Sequence, residues 1–364
     1  MDTSKDYIIV VHFLLNVILN WFGTGLGQNV AVAPKEEFLT RFQEYKDVIG
    51  YLTRMERKFP NLIQLETLGY TTENREILLA KIGTRTGRME GNKPSIWLDS
   101  AMHAREWISV SVSQYIIDTL LKTYETDNAT REYVDNLSWY ILPIMNPDGY
   151  EFSREKNYAG SRTHFLWRKN RRRSDCSIER CNCYGVDLNR NFGYHWGAIP
   201  GGHASNDSCD DQYVGPAPFS ERETFAVKDF ILRHTSTLKA YFTLHSYAQM
   251  WFIPFAYQTG TYPEDYNELR DLALRATETL RKMYGTAYTV GTPADIYYPT
   301  SGSACDWVKG LAGVKYVYGV ELRPPRDTEM AAFLLPWEQI EPTVKETFSA
   351  IRVVADEVLS KYGR

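Results

Sequence analysis

The stretch Ser95-Ile-Trp-Leu-Asp-Ser-Ala-Met-His-Ala-Arg-Glu-Trp107 passes from a short apolar strand, Ser95 to Asp99, through polar residues into a helical pattern over Trp107 to Tyr124. A strand followed at once by a helix is the repeating step of an α/β fold. The alternation continues on both sides. Upstream, residues 36 to 59 place Phe38, Phe42, Tyr45, Val48, Ile49, Leu52 and Met55 at helical spacing, and Pro60 ends that helix. Leu62 to Leu68 and Ile77 to Ile82 read as strands joined by a turn around Tyr70 to Arg75. Downstream come a strand over Ser138 to Met145, a helix over Ser220 to His234 and a strand over Leu238 to His245. Long helices follow over Pro263 to Tyr284 and Pro336 to Lys361, with the strand Lys315 to Leu322 between them. The pattern predicts a single α/β domain with a mixed sheet covered by helices on both faces.

The chain has 364 residues, which the usual domain size would divide into two or three units, yet no composition change, linker or repeat marks a boundary after residue 36. Hydrophobic residues at 43% and charged residues at 24% exclude a disordered chain. Lys plus Arg (41) against Asp plus Glu (45) leaves a net charge of −4, so no global field favours a nucleic-acid partner. Gly149 to Pro218 has little periodicity, and so long a loop region inside a compact domain is usually functional.

The apolar run Tyr7 to Phe22 is broken by His12, Asn16 and Asn20, which makes it a poor membrane span. Followed by Gly23, Gly25 and Gly27, it reads as a signal peptide over residues 1–27, with an uncleaved anchor as the alternative. No stable membrane span is expected, and the location is read as secreted. Cys176, Cys181, Cys183 and Cys209 cluster while Cys305 stands apart, suggesting two disulfides and one free thiol. The Cys181-Asn182-Cys183 spacing does not suit the paired knuckles of a structural zinc site. Sequons at Asn128, Asn136 and Asn206 agree with secretion.

Ligands of open α/β sheets gather beyond the carboxyl ends of strands. His103 and Glu106 follow one strand, His245 ends another and Glu321 lies near the end of a third. Two histidines and a carboxylate form a catalytic zinc set that leaves a position for water, and a second glutamate could serve as the base. A surface His-x-x-Glu pair and a hydrogen-bonded structural histidine are the plainer readings of the same residues.

His103-Ala-Arg-Glu-Trp107, Trp167-Arg-Lys169, Gly185-Val-Asp-Leu-Asn-Arg-Asn191, Leu244-His-Ser-Tyr247, Asp306-Trp307 and Glu321-Leu-Arg323 occur in this order. In that respect the chain resembles the zinc carboxypeptidases of the pancreatic A/B type, from about residue 36 to the C-terminus. The resemblance implies an eight-stranded twisted sheet, one Zn²⁺ per chain bound by His103, Glu106 and His245, and Glu321 as the general base. Zinc lowers the pKa of a bound water to about 7, and the base takes its proton as it attacks the scissile carbonyl. The resemblance further implies that Arg168 stabilises the oxyanion and that Asn189 and Arg190 clamp the substrate's terminal carboxylate. Tyr298 is implied to close over the substrate, with Tyr297 as its rival, and Arg105 is read as a secondary contact. Asp187 is read as the acceptor that orients His103. Cys183 and Cys209 match the family's disulfide, and Cys176 and Cys181 could form a second, local one. The remainder of the basic run Arg168-Lys-Asn-Arg-Arg-Arg173 reads as a solvated loop edge, with anion binding as the alternative.

Two features depart from the family pattern. The residue before the Asp-Trp pair, at the base of the specificity pocket, is Cys305, neither acidic nor aliphatic. A buried cysteine behaves as a small hydrophobe, and Gly319 adds room, so large apolar C-terminal residues are the expected preference. A B-type preference for Lys or Arg is the alternative. The other departure concerns the family's inhibitory prosegment. Residues 28–35 read as a short extension without a full prosegment, and 36–364 as the catalytic domain. The whole is expected to act as a monomer on peptide or protein C-termini. A catalytically silent peptide-binding homologue and a zinc amidohydrolase are the competing functions.

Overall fold

The computed structural model describes residues 36–84, 93–155, 164–173, 183–198, 203–328 and 330–363. The expected signal peptide 1–27, the extension 28–35 and the Cys176–Cys181 pair lie outside the described residues. Glu37–Arg364 form one compact unit.

Helix α1, Tyr45–Lys58, buries Val48, Tyr51, Leu52 and Met55 along one stripe. It begins later than the apolar spacing predicts. Only Glu37–Leu39 makes a short 3₁₀ turn before it, and a reciprocal capping box between Glu44 and Asp47 sets the first turn at Tyr45. Strands β1 (Ile63–Tyr70), β2 (Glu76–Ile82) and β3 (Ser95–Ser100) follow, then helices α2 (Trp107–Lys122) and α3 (Asn128–Asn136). The predicted strand from Ser138 stops three residues early, as β4 (Ser138–Leu142), and helix α4 (Pro147–Arg154) follows. There Asn146 caps Gly149 N–H with its side chain, and Pro147 occupies the first turn, where its missing N–H costs nothing.

After the long irregular region come α5 (Arg222–His234), β5 (Leu238–Ala248), β6 (Met250–Phe252) and α6 (Tyr266–Tyr284). The chain ends with β7 (Thr289–Gly291), α7 (Pro293–Ile296), α8 (Ala304–Gly310), β8 (Tyr316–Pro325) and α9 (Ile340–Tyr362). The two short strands and α3, α4, α7 and α8 are too brief to produce a periodic signal. Helix α9 starts at Ile340 because Trp337–Gln339 after Pro336 turns as a 3₁₀ helix.

The eight strands pair in the order β1-β2-β4-β3-β5-β8-β6-β7. The centre, β4-β3-β5-β8, is parallel, whereas β1, β2 and β6 join antiparallel. Alternate residues of the central strands enter two different cores. Ile96, Leu98, Phe242, Leu244, Tyr318 and Val320 pack with α1, α2, α6 and α9 residues on one face. Trp97, Tyr241 and Val317 pack with Val227 and Phe230 of α5 and Trp307 of α8 on the other. Burial on both faces is why these strands read as nearly unbroken apolar runs. From β3 the chain passes first to β4 on one side, and β5 later returns to the other side. The crevice beyond the ends of β3 and β5 is therefore the place where such sheets take ligands.

Candidate active site

His103 lies three residues beyond β3, and Glu106 stands at the N-cap of α2. The connecting loop is braced from inside. Ser109 Oγ accepts from Ala101 N–H at 3.0 Å, and Ala104 N–H donates to the Arg168 carbonyl at 3.0 Å. The Glu106 side chain caps nothing and turns instead toward the histidines. His245 and Glu321 are register partners on neighbouring β5 and β8, so one parallel pair delivers both.

His103, Glu106 and His245 converge with ligand atoms within 4.8 Å of one another, all buried. His103 Nδ1 lies 2.7 Å from Glu106 Oε1, His245 Nδ1 2.9 Å from Glu106 Oε2, and the two Nδ1 atoms are 3.1 Å apart. Their outer nitrogens are already committed. His103 Nε2 meets Asp187 Oδ1 at 3.2 Å, and a carboxylate can only accept, so the proton sits on Nε2. Thr243 donates its hydroxyl to Asp99 Oδ1 and presents a lone pair to His245 Nε2 at 3.1 Å. Both inner nitrogens are thereby left bare opposite a carboxylate, an arrangement that requires a positive charge among them. Burial would lower the His245 pKa, but Glu106 outweighs it and raises it. Zn²⁺ fits the same place, since a tetrahedral ion with bonds of about 2.0–2.1 Å to nitrogen holds two such ligands roughly 3.3 Å apart.

Asp187 ties this cluster to its neighbours. It accepts from Arg168 Nε at 2.8 Å and from Asn189 N–H at 2.9 Å, and Arg190 Nη1 lies 3.9 Å away. Burial works against its charge, yet Arg168, Arg190 and His103 hold it well below the usual carboxylate range. The two outer nitrogens of Arg168 have no hydrogen-bond partner among the described residues, and the side chain lines the cleft. Burial, reinforced by Glu106, lifts the Glu321 carboxyl to about 7, against the pull of His245, Arg168 and Arg105.

The cleft is lined by His103, Arg168, Asn189, Arg190, His245, Tyr297, Tyr298, Cys305, Gly319 and Glu321, among others. Arg190 is only 2% exposed, and its Nη2 is buried without a hydrogen-bond partner. Its Nε and Nη1 are anchored to the carbonyls of His203 (2.7 Å) and Asn189 (3.0 Å). Gly302, with φ of +66°, lies so close to the Arg190 carbonyl that a Cβ would collide with it, which brings the 298–305 strip against the arginine. Cys305 is a free cysteine, and a Cβ added at Gly319 would stand 3.5 Å from its Sγ. Burial pushes the thiol well up, so it stays neutral. Phe252, Ile253, Pro254 and Ala256 line the same cleft, and Phe252 stands beside Gly319.

Arg105 is not among the cleft-lining side chains. It donates to the Leu166 carbonyl at 2.8 Å and lies over the Phe333 ring. The basic run is absorbed internally. Lys169 donates to Ser208 O, Arg171 packs on the rings of Phe152, Trp167 and Tyr184, and Arg172 pairs with Glu221. With Lys169 buried and Arg171 and Arg172 partly covered, this part of the run is not the solvated loop edge that the sequence suggests. Cys183 and Cys209 form a disulfide. Sequence reasoning missed the Thr243–Asp99 relay behind His245 and the contacts of His203. Thr243, two residues before His245 on the same strand face, was the available signal for the relay.

The zinc carboxypeptidase family model matches residues 48–350. The chain is 36% identical to carboxypeptidase B of Astacus astacus over 324 residues, 89% of this chain and 99% of that one. It is 35% identical to human mast cell carboxypeptidase A, covering 99% of this chain and 80% of that one. The crystal structure of carboxypeptidase A from Helicoverpa armigera superimposes with a TM-score of 0.78 at 27% identity, covering 92% of this chain and 78% of that one.

Proposed function

The chain belongs to the zinc carboxypeptidase family and is a metallocarboxypeptidase, a premise from which we propose that it is a secreted enzyme removing single, preferentially large apolar residues from peptide and protein C-termini. In this reading it works as a monomer without a nucleic-acid partner and holds one zinc ion through His103, Glu106 and His245. The observation that carries the reading is that His103 and His245 of this cluster and buried Arg190, whose Nη2 alone lacks a partner, line one cleft. An endopeptidase needs only the first. A free C-terminal carboxylate accounts for the second, since it can accept the charge-assisted hydrogen bonds that Nη2 still has to give.

Bound zinc supplies Lewis acidity toward a carbonyl oxygen and acidifies water. Arg190 and Asn189 hold the substrate carboxylate, and Tyr298 covers it. Glu321 takes a proton from the attacking water and returns it to the leaving amine nitrogen. Burial lifts the Glu321 pKa to about 7, in the range useful for both transfers. The free nitrogens of Arg168 meet the charge that develops on the carbonyl oxygen, a contact typically worth about 2.7–4 kcal/mol of barrier. Asp187 keeps His103 in its tautomer and Arg168 in its orientation. Apolar side chains and the neutral Cys305 at the other end of the cleft favour an apolar terminal residue.

The test is an assay of purified protein on peptides ending in Phe, Leu, Lys or Glu, with and without a chelator. Chelator-sensitive release is expected, fastest for Phe or Leu. Faster release of Lys would replace the apolar preference with a basic one, and no release despite bound zinc would refute the mechanism. Secretion is checked by recovering the protein from the medium of expressing cells.

A further inference from the structure

Tyr298 does not stand free at the cleft. Its ring lies between two others, stacked on His203 with centroids 4.0 Å apart and planes inclined by 21°, and packed against Tyr297 at 4.2 Å. His203 also reaches the carboxylate-binding arginine, by a different part of the residue. Its carbonyl accepts from Arg190 Nε at 2.7 Å and from the Thr300 hydroxyl at 3.0 Å. Thr300, two residues beyond Tyr298, is in turn fixed by its N–H to the Ala256 carbonyl at 2.8 Å. The loop that carries His203 lies between the half-cystines of the Cys183–Cys209 disulfide. One residue therefore touches both elements that the proposed function assigns to the substrate carboxylate.

We infer that His203 is a positioning residue that holds Tyr298 in place over the carboxylate subsite, in register with Arg190, before substrate arrives. The inference rests on the proposed roles of Arg190 and Tyr298. Its physical basis is preorganisation. A tyrosine confined between two rings has already lost most of the freedom that binding would otherwise remove, and that ordering cost then does not weaken affinity. Aromatic contacts of this kind add stabilisation beyond area burial. Held ground-state and transition-state interactions are affected alike, so the contribution falls on KM rather than kcat.

The two contacts of His203 can be separated, because the bond to Arg190 uses the backbone and survives replacement of the ring. In the full-length zinc enzyme, His203→Ala should raise KM for a blocked dipeptide ending in Phe by about 2- to 10-fold, with kcat changed less than about twofold and zinc content unchanged. His203→Phe, which can still stack, should restore KM. In a Tyr298→Ala background the His203→Ala change should have no further effect. A second readout needs no turnover. Nitration of Tyr298 by tetranitromethane, followed by peptide mass mapping, should be faster in His203→Ala than in the wild type. Unchanged KM and nitration in His203→Ala, a failure of His203→Phe to rescue, or additive effects with Tyr298→Ala would each overturn the inference. A wild-type protein that releases no terminal residue would instead defeat the functional reading, while the nitration arm would still decide whether His203 holds Tyr298.

Discussion

The floor of the cleft and its rim carry comparable numbers of polar groups but finish them differently. At the floor, every nitrogen and oxygen of His103, Glu106 and His245 meets a partner, and Asp187, Thr243 and Asp99 close the shell behind them. These residues hang from β3, β5 and the first turn of α2, elements whose positions two apolar cores determine. At the rim, Asn189, Arg190 and Tyr298 stand on a 3₁₀ turn and a loop. There Arg190 keeps an unpartnered nitrogen. The difference separates two tasks. Under the proposed function, the three groups assigned to the cation are bonded by the protein itself, whereas Arg190, assigned to the substrate carboxylate, keeps hydrogen-bonding capacity that a ligand can complete.

The largest predicted effect tests the chemistry at the floor. Glu321→Gln should lower kcat by about 10²- to 10⁴-fold while zinc content, read by atomic absorption, stays intact. Normal turnover would move the base elsewhere. Asp187→Asn probes the joint between floor and rim, because this carboxylate serves His103, Arg168 and Asn189 together. Zinc affinity should fall by about 10- to 100-fold in competition with a chromogenic chelator, and unchanged affinity would mean that the shell behind His103 does not matter. Confined to the rim, Arg190→Ala should raise KM by about 10- to 100-fold without loss of zinc. If zinc were lost too, the floor and rim would not be separable. Cys305→Asp should shift preference toward C-terminal Lys and Arg by about 10-fold in kcat/KM, because a carboxylate then replaces a neutral thiol. An unchanged profile would remove Cys305 from the pocket base.

The smallest effect concerns the support behind the floor. Asn170 Oδ1 accepts from Val186 N–H beside Asp187, and its amide donates to Glu221 and Glu223. Glu223 Oε1 has no partner, and burial lifts this carboxyl to about 8. A carboxyl with a raised folded pKa binds its proton more tightly in the folded state than in the unfolded one. Its contribution to stability is therefore present at low pH and is lost as pH rises from the ordinary carboxylate range through about 8. Glu223→Gln keeps an acceptor for Asn170 and has no proton to lose. The variant should gain on the order of 2 °C in Tm over the wild type at pH 9 and little at pH 5, by differential scanning calorimetry. An equal change at both pH values would show that titration of Glu223 is not the cause.

Much of this was readable along the chain. The mostly apolar runs of Ser95 to Asp99 and Leu238 to His245 imply strands of a sheet covered on both faces, and the polar residues at and just past their ends were the first place to look for chemistry. The helix over residues 36 to 59 was misplaced at its start because apolar spacing continues through Phe38 and Phe42, while the first turn is set by the Glu44–Asp47 capping box. Arg105 was assigned to the substrate on its place beside a metal-site motif, and its contacts with Leu166 and Phe333 could not be read from that place. The basic run reads along the chain as a solvated loop edge, whereas Lys169 is buried and Arg171 and Arg172 are partly covered, because partners such as Phe152, Ser208 and Glu221 lie far off in sequence.

By itself, then, the sequence determined the α/β class, the His, Glu and His that could hold a metal and the odd cysteine beside the cleft. These are properties of local period and of residues adjacent to strand ends. Only the tertiary structure decided which nitrogen of each histidine faces the cluster, that Arg190 keeps a nitrogen for a ligand, and that His203 stacks on Tyr298. Those outcomes depend on hydrogen bonds and ring contacts between residues dozens to more than a hundred positions apart, which packing of the sheet brings together and which no periodicity encodes.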